Sequence, residues 1–319
     1  MARVPAILAS ALLAGLVQAQ TYPTKPIRLV VPFAPGGTSE VVARSVAAEM
    51  SKGLGHQMIV DNRAGGAGNI AMQEVARAEP DGYTLILGHI GTLAVNPYMF
   101  PKLPYDVNRD FVPLTLLAQT PTVFVVSANV PAKDLKEFVA LAKQKPGQLT
   151  YGSAGNGSAG HLAFEYLKLV TGIDVTHVPY KGTGPQITDL IGGRTDAALV
   201  GTPPILPHIK SGKVRPIAVG TPKRIAVLPN VATVAEQGYK GFETSQWFGL
   251  MAPAKTPEPI VNRLQAEAAK AIKSRAVGER FAADNAIAVG SSPAEFAAFI
   301  KKEQERWSEV VKKANIKAE

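Results

Sequence analysis

The sequence predicts an α/β fold built from two similar modules. Short runs rich in β-branched residues alternate with amphipathic helical windows, which is typical of β-α-β units with parallel strands. This alternation occurs between residues 27 and 87 and starts again between residues 148 and 219. The length of 319 residues also suits about two domains of ~150 residues each.

The first module contains three predicted strands, at Ile27–Val31, Met58–Val60 and Tyr83–Leu87. After the first strand, apolar residues from Val41 to Met50 recur at helical spacing, and two glycines end this helix. A second helix is predicted from about Asn69 to Ala78. The loops after the strands should then lie together at the carboxyl edge of the sheet.

The second module repeats this order, with strands predicted at Gln148–Tyr151, Val175–Val178, Asp196–Val200 and Arg215–Val219. A helix is predicted from Ser158 to about Val170. Two long β-rich stretches, Leu114–Ser127 and Thr244–Ala252, have no helical centre. We interpret them as crossover strands, so that residues 20–120 and 246–319 form domain I and residues 121–245 form domain II.

The last helix has a clear start signal. Ser292-Pro293-Ala294-Glu295 reads as a capping box with proline at the first helical position.

At the other end of the chain, Met1–Ala19 reads as a secretory signal, with Arg3 before a short apolar run and small residues at its end. This run falls well short of the ~20 residues of a membrane-spanning helix. The sequence therefore predicts an exported protein, cleaved after Ala19.

Composition excludes several classes of protein. The content of hydrophobic residues (46%) and charged residues (18%) argues against an intrinsically disordered chain. The absence of cysteine excludes disulfides, thiolate zinc sites, a cysteine nucleophile and a lipoprotein anchor. The net charge of +9 favours anionic partners, but it is spread without a long basic run, so no nucleic-acid partner is expected.

Three strand-to-helix junctions are rich in glycine: residues 32–39, 64–69 and 152–158. Two of them contain a formal dinucleotide-binding spacing, Gly155, Gly157 and Gly160 in one and Gly66, Gly68 and Ala71 in the other. The strand does not run straight into the first glycine of the loop at residues 152–158, and the expected acidic residue is displaced in both loops, which argues against a dinucleotide site. No phosphate-binding loop of the G-x-x-x-x-G-K-[ST] type is present.

Anion binding is the property that the three loops share. A helix N-terminus offers free N–H groups and a partial positive charge, and glycine lets a ligand approach the backbone. Since none of the loops has a lysine suited to a triphosphate, a small carboxylate fits better. Charge-assisted hydrogen bonds contribute ~1.5–3 kcal/mol each, so a few of them suffice for micromolar affinity without a metal or cofactor.

In this order and spacing, the loops resemble the periplasmic receptors of tripartite tricarboxylate transporters, the Bug family. The resemblance covers essentially the whole mature chain. The motifs that carry it are Tyr22-Pro23-x-Lys25-Pro26-Ile27, Val31-Pro32-Phe33-x-Pro35-Gly36-Gly37, Asn62-Arg63-x-Gly65-x-x-Gly68-Asn69, Pro80-Asp81-Gly82-Tyr83, Tyr151-Gly152-Ser153-x-Gly155-x-Gly157-Ser158, Pro179-Tyr180-Lys181-Gly182 and Trp247-Phe248-Gly249-Leu250.

The resemblance implies a two-lobed type II periplasmic-binding-protein fold whose lobes close on a ligand in the cleft between them. It also implies a small organic carboxylate as ligand, a tripartite tricarboxylate-type permease as membrane partner, a periplasmic location and no enzymatic activity. We expect a monomer without cofactor or metal. An enzyme on the same fold and a dinucleotide-binding oxidoreductase are the alternatives.

The ligand-binding residues implied by the resemblance lie in two of the loops: Phe33, Gly36, Gly37, Thr38 and Ser39 in the first, and Ser153, Gly157 and Ser158 in the third. Gly66 in the second loop, His89 after the third strand, Tyr180 and Asp196 are further candidates, for which turn, packing or strand-start roles remain open. Family members usually have Asp where this chain has Glu40, and we expect Glu40 to act at the helix N-terminus.

Overall fold

The computed structural model describes residues 22–283, 285–313 and 315–316. The predicted signal segment and its cleavage point lie outside the described residues. The strands are β1 Ile27–Val31, β2 Met58–Asn62, β3 Thr84–His89, β4 Phe111–Ser127, β5 Thr150–Ser153, β6 Thr176–Pro179, β7 Ala197–Gly201, β8 Val214–Val219, β9 Ser245–Pro253 and β10 Ile287–Ala288. The helices are α1 Thr38–Leu54, α2 Asn69–Ala76, α3 Asn96–Met99, α4 Val107–Asp110, α5 Leu135–Gln144, α6 Ala159–Thr171, α7 Thr183–Ile191, α8 Thr202–Lys210, α9 Glu258–Lys273, α10 Arg275–Ala283 and α11 Pro293–Lys313.

The strands form two mixed sheets, one in each lobe. In the first lobe β1 pairs in parallel with β2 and β3, and β9 runs antiparallel to β3 and β4. In the second lobe β5 pairs in parallel with β6 and β7, while β7 and β8 run antiparallel to β4. The predicted parallel pairs are therefore confirmed. The sheets are mixed because the strands that cross between the lobes run against the others.

The strand β4 belongs to both sheets, since it pairs with β9 over its first part and with β7 and β8 over its second. Its partner β9 lies beside it from Phe111 to Pro121. The two predicted crossover stretches are thus confirmed as strands, and the predicted domain boundaries fall within this pair. The pair forms a connection between the two lobes.

Apolar side chains cover both faces of each sheet, because successive residues of a strand point to opposite faces. In β1, Leu29 and Val31 belong to one cluster and Val30 to another. In β4, Val125 and Val126 divide in the same way between two clusters of the second lobe. This burial on both faces explains why the strands read as continuous apolar runs.

The predicted capping box at the start of α11 is confirmed. The Ser292 backbone N–H donates to Glu295 Oε2 (2.8 Å), and the Glu295 N–H donates to Ser292 Oγ (3.2 Å). The sequence reading did not identify the helices α5, α8, α9 and α10, of which α8 holds Pro207 in its interior. Within the described ranges, helices long and apolar enough to cross a membrane are absent.

Candidate functional site

A narrow cavity lies between the two lobes, where the loops at the carboxyl ends of the parallel strands meet. About 330 Å³ of space outside protein atoms lies between its walls, part of it open to the surrounding solvent. Both lobes and β9 contribute its lining residues: Phe33, Thr38, Ser39, His89, Ile90, Ala154, Ser158, Ala159, Thr183, Gln246, Trp247 and Phe248. None of these described residues is Asp, Glu, Lys or Arg. Hydroxyl groups, one amide, one imidazole and the backbone therefore supply the polarity of the cavity.

Three helices begin at this cavity. Thr38 is the first residue of α1, Ala159 of α6 and Thr183 of α7, and all three line the cavity. The first N–H groups of a helix have no partner within the helix, and the helix dipole adds a partial positive charge of roughly +0.5 there. The convergence gives the cavity a positive potential without a charged side chain, which suits a small anion.

The first loop is held in shape by Glu40. The Gly36 backbone N–H donates to Glu40 Oε2 (2.6 Å), and Glu40 Oε1 accepts from Arg44 Nε (2.7 Å). The prediction that Glu40 acts at the helix N-terminus is confirmed. Gly36 has φ +90°, a conformation that favours glycine, and its N–H is engaged by Glu40. Thr38 and Ser39 are the polar residues of this loop that line the cavity.

His89 lines the cavity and has one ring nitrogen without a hydrogen-bond partner. Its side chain is buried and stacks on Phe33, with 4.5 Å between ring centroids. The Thr92 backbone N–H donates to His89 Nδ1 (3.0 Å), whereas Nε2 has no partner. Burial lowers the pKa of His89 to about 4, so the ring is neutral at pH 7. Since Nδ1 accepts a hydrogen bond, Nε2 carries the proton and is a free donor.

The third loop is held by two histidines. Ser153 Oγ lies 2.6 Å from His177 Nε2, and the Gly157 backbone N–H donates to His161 Nδ1 (3.1 Å). The His161 and His177 rings stack, with 4.3 Å between centroids. Ser153 is therefore engaged inside the loop and is not among the residues that line the cavity. Ser158 lines it, and its Oγ accepts from the His161 backbone N–H (3.3 Å) as the N-cap of α6.

Replacing Ser158 by Ala is expected to lower the free energy of unfolding by about 1 kcal/mol, as for other N-cap serines, and also to weaken ligand binding. Ser292→Ala is the matched control, because Ser292 caps α11 and does not line the cavity. Denaturant unfolding and calorimetric titration measure the two effects. Equal loss of ligand affinity in both variants would contradict a role for Ser158 in the cavity.

Gly66 and Tyr180 lie in a neighbouring cavity, which opens to solvent and shares Phe33 and Ala154 with the first. The Tyr180 hydroxyl donates to Asp189 Oδ2 (2.8 Å), and burial together with this bond raises the pKa of Tyr180 to about 12. Gly66 has φ +55° in the turn before α2. These two residues thus do not meet His89 in one cavity.

The structure does not bring Asp196 to either of these cavities. Asp196 precedes β7, whose opposite end, Gly201, lies at the cleft. Its Oδ2 accepts from the backbone N–H (2.8 Å) and Oγ1 (3.0 Å) of Thr150, at the start of the neighbouring strand. The carboxylate holds the amino ends of two parallel strands together, and this placement corrects the expectation that it borders the cleft.

Sequence reasoning missed several lining residues, notably Thr183 and Gln246. Thr183 follows the fourth strand-to-helix junction, a position that the same loop argument could have identified. Gln246 is a polar residue at the start of an apolar crossover strand, which was the available signal. Trp247 lines the cavity while its Nε1 donates to Glu303 Oε2 (2.8 Å), so it both supports the crossover strand and borders the cleft.

The two lobes touch directly around the cavity. The Ala34 backbone N–H of the first lobe donates to the Lys181 carbonyl of the second (3.1 Å). Next to this bond, an added Cβ on Gly184 would lie 2.6 Å from the Pro35 carbonyl oxygen. A Cβ on Gly36 would lie 3.3 Å from the Gly184 Cα, a tighter contact than usual. The structure thus shows the lobes closed on each other through backbone contacts that side chains would prevent.

Comparison with known proteins agrees with this geometry. Residues 42–316 match the model of the tripartite tricarboxylate transporter family receptors. Rpa4515 of R. palustris, solved with adipate, is 37% identical, with a TM-score of 0.90 over 93% of this chain and 99% of that one. MatC of Rhodopseudomonas palustris, solved with malate, is 36% identical, with a TM-score of 0.88 over 91% and 100% of the two chains.

The periplasmic binding protein BugD is also similar in structure. It is 34% identical to this chain, with a TM-score of 0.90 over 93% of this chain and all of that one (100%). The predicted α/β fold of a two-lobed periplasmic binding protein is thereby confirmed. The family model covers most of the chain, and these relatives are similar to it over nearly their full length. The chain therefore belongs to the tripartite tricarboxylate transporter receptor family.

Proposed function

We propose that this protein is a periplasmic receptor that captures a small organic carboxylate between its lobes and delivers it to a tripartite tricarboxylate-type permease. The observation that carries this proposal is the unpartnered Nε2–H of neutral His89 in a cavity where three helices begin. The adipate and malate bound by two relatives support the same ligand class.

The cavity can hold a carboxylate without an ion pair. His89 Nε2, the hydroxyls of Thr38, Ser39, Ser158 and Thr183, and the first N–H groups of the helices are all potential donors. Hydrogen bonds to a charged group contribute ~1.5–3 kcal/mol each. Micromolar affinity requires about −8 kcal/mol in total, so four or five such bonds leave a margin for the cost of ordering the ligand.

Capture by closure follows from the position of the donors. His89, Thr38 and Ser39 belong to the first lobe, and Ser158 and Thr183 to the second. A ligand that contacts both sets stabilises the closed arrangement relative to an open one. We further infer that the protein is exported through its first 19 residues, acts as a monomer and requires no cofactor, as receptors of this kind perform no chemical step.

Replacing His89 by Phe is expected to weaken carboxylate binding by about ten- to a hundredfold, the cost of one hydrogen bond to a charged group. Phe keeps a ring against Phe33 but has no donor. His89→Gln keeps an amide donor close to the position of Nε2 and should retain more affinity. His208→Phe on α8 is the control, since His208 does not line the cavity.

The assay is calorimetric titration, preceded by a thermal-shift panel of citrate, malate, succinate, adipate, glutamate and benzoate with NAD as a negative control. A ligand at 100 times its Kd stabilises the folded state by ~2.7 kcal/mol. Stabilisation by NAD, turnover of a ligand, or failure of every acid to bind would overturn the receptor proposal.

A further inference from the structure

Two neighbouring residues of the last helix, Glu303 and Gln304, have polar side chains that are buried in the first lobe. Each residue is 7% exposed. Other buried side chains of α11, among them Phe296, Ile300 and Trp307, belong to an apolar core cluster. A carboxylate in such surroundings is costly unless other groups bind it. The partners of Glu303 therefore indicate its role.

Glu303 binds both tryptophans of the chain. Trp247 Nε1 donates to Glu303 Oε2 (2.8 Å), and Trp307 Nε1 donates to the same oxygen (3.2 Å). The Trp247 ring also meets Phe299 edge to face, with 5.1 Å between centroids, so its orientation is fixed on two sides. Trp247 lines the ligand cavity, whereas Glu303 does not. Glu303 thus supports one part of the cavity wall from outside it.

Gln304 supports a second part of the wall. Its Nε2 donates to the Leu93 carbonyl (2.8 Å), and this bond is buried. Leu93 follows Thr92, whose backbone N–H donates to His89 Nδ1 (3.0 Å). His89 and Ile90, at the start of this turn, line the cavity, and Gln304 does not. Adjacent residues of one helix therefore hold two cavity-lining segments that are far apart in the chain.

We propose that Glu303 and Gln304 are positioning residues of the ligand cavity, acting through Trp247 and through the turn that carries His89. This inference rests on the proposed carboxylate-receptor function. Neither residue contacts the ligand in this arrangement. Their contribution is to hold the cavity wall in the geometry that the ligand needs before it arrives.

The contacts around β9 show why this affects affinity. Gln246 and Phe248, on either side of Trp247, also line the cavity. Arg306, on the same helix as Glu303, donates from Nη2 to the Glu243 carbonyl (2.7 Å), just before β9 begins. The helix thus holds the crossover strand at two points. When such a wall is not fixed in advance, the cost of ordering it is taken from the binding free energy.

The test measures carboxylate affinity by calorimetric titration of the mature chain with malate, succinate, adipate and citrate. Glu303→Leu and Gln304→Leu are each expected to weaken binding of the preferred acid about tenfold, the cost of ordering one or two side chains. Glu303→Gln keeps an acceptor oxygen and should retain most of the affinity. Wild-type affinity in both leucine variants would overturn the positioning role and leave the receptor standing. Failure of the wild type to bind any of the four acids would overturn both proposals.

Glu267→Leu is the matched control for loss of stability. Glu267 is a buried carboxylate too, at 3% exposure, but it pairs with Lys270 (2.9 Å) and Arg263 (3.1 Å) on α9 and does not line the cavity. This variant should lose stability to denaturant and keep its ligand affinity. An equal loss of affinity in Glu267→Leu and Glu303→Leu would contradict a specific role for Glu303.

Nuclear magnetic resonance gives a readout that a purely structural role would not move. The chain has two tryptophans, so the wild type shows two indole N–H signals, and Trp307→Phe identifies the one from Trp247. Coupling between two groups is reciprocal, so binding of the preferred acid is expected to shift the Trp247 signal. Glu303→Leu should move both signals towards those of indoles without an acceptor. A Trp247 signal that stays in place when ligand binds would overturn the proposal.

Discussion

Replacing Gly184 by Ala is expected to reduce carboxylate affinity by two orders of magnitude or more while leaving the folded state as stable as before. The added Cβ would lie 2.6 Å from the Pro35 carbonyl oxygen on the opposite lobe, and this obstacle is backbone, which cannot move aside as a flexible side chain can. The closed arrangement would then be poorly populated, and the apparent Kd rises by the inverse of its population.

The same substitution should not harm the helix in which it stands. Gly184 is the second residue of α7 and does not have the left-handed backbone that disfavours other residues. In a helix, alanine is favoured over glycine by up to ~1 kcal/mol. A variant that is equally or more stable to denaturant, but binds weakly, would distinguish a block to closure from loss of structure.

Gly278→Ala provides the control for this experiment. Gly278 is also helical, in α10, and an added Cβ would meet nothing within 4 Å. Calorimetric titration gives the affinities, and small-angle scattering reports whether ligand still makes each variant more compact. Wild-type affinity in Gly184→Ala would show that the contact between Gly184 and Pro35 is not needed for binding.

Acidification from pH 7.5 to pH 5 is expected to lower the free energy of unfolding by about 2 kcal/mol for each of His89 and His161, with a further loss from His177. Burial is the main reason that the pKa values of His89 and His161 are lowered to about 4 and that of His177 to about 3. Lys168 adds to the lowering for His161 and His177, while Glu165 opposes it for His161.

The sign follows from the protons bound in each state. In the unfolded chain these imidazoles have a pKa near 6.5, so they take up protons below that pH, while the folded protein keeps them neutral. Stability is therefore complete above pH 6.5 and falls as the pH drops towards the folded pKa values near 4. Below these pKa values the folded protein binds the same protons, so the histidines cause no further loss of stability.

The matched variant for the acid effect is His161→Asn. The asparagine Oδ1 can replace Nδ1 as acceptor of the Gly157 N–H, but it does not titrate. Denaturant unfolding at a series of pH values should give a shallower slope for this variant than for the wild type between pH 6.5 and pH 5. Identical slopes would show that His161 takes up no additional proton on unfolding in this range.

The sequence predicted those features of the site that depend on local pattern. A strand, a glycine-rich turn and an amphipathic helix lie close together in the chain, so the loops around Thr38 and Ser158 and their place at one sheet edge could be inferred. For Asp196 the sequence left both a cleft role and a strand-start role open, and its position before β7 favours the second. A residue before a parallel strand lies at the amino edge, opposite the loops that follow the strands.

The remainder of the site depends on tertiary contacts that no local pattern encodes. Gln246 lines the same cavity as Thr38 only because β9 crosses between the lobes, and Gly184 meets Pro35 only because the lobes close. Whether His89 has a free donor depends on which of its ring nitrogens accepts the hydrogen bond from the Thr92 backbone N–H. Helices such as α9 carry a regular apolar face, with Val261, Leu264 and Ala268 buried, so the sequence does hold a signal for them.

The use of neutral donors in place of lysine or arginine affects how such a receptor responds to its surroundings. Dissolved salt weakens attraction between separated charges on a protein surface, but ions have no access to dipoles sealed around a ligand inside a closed cavity. The strength of capture is thereby largely independent of ionic strength. In a compartment whose salt concentration follows that of the external medium, a change of salt would then alter the rate at which ligand and receptor meet far more than the affinity of the complex.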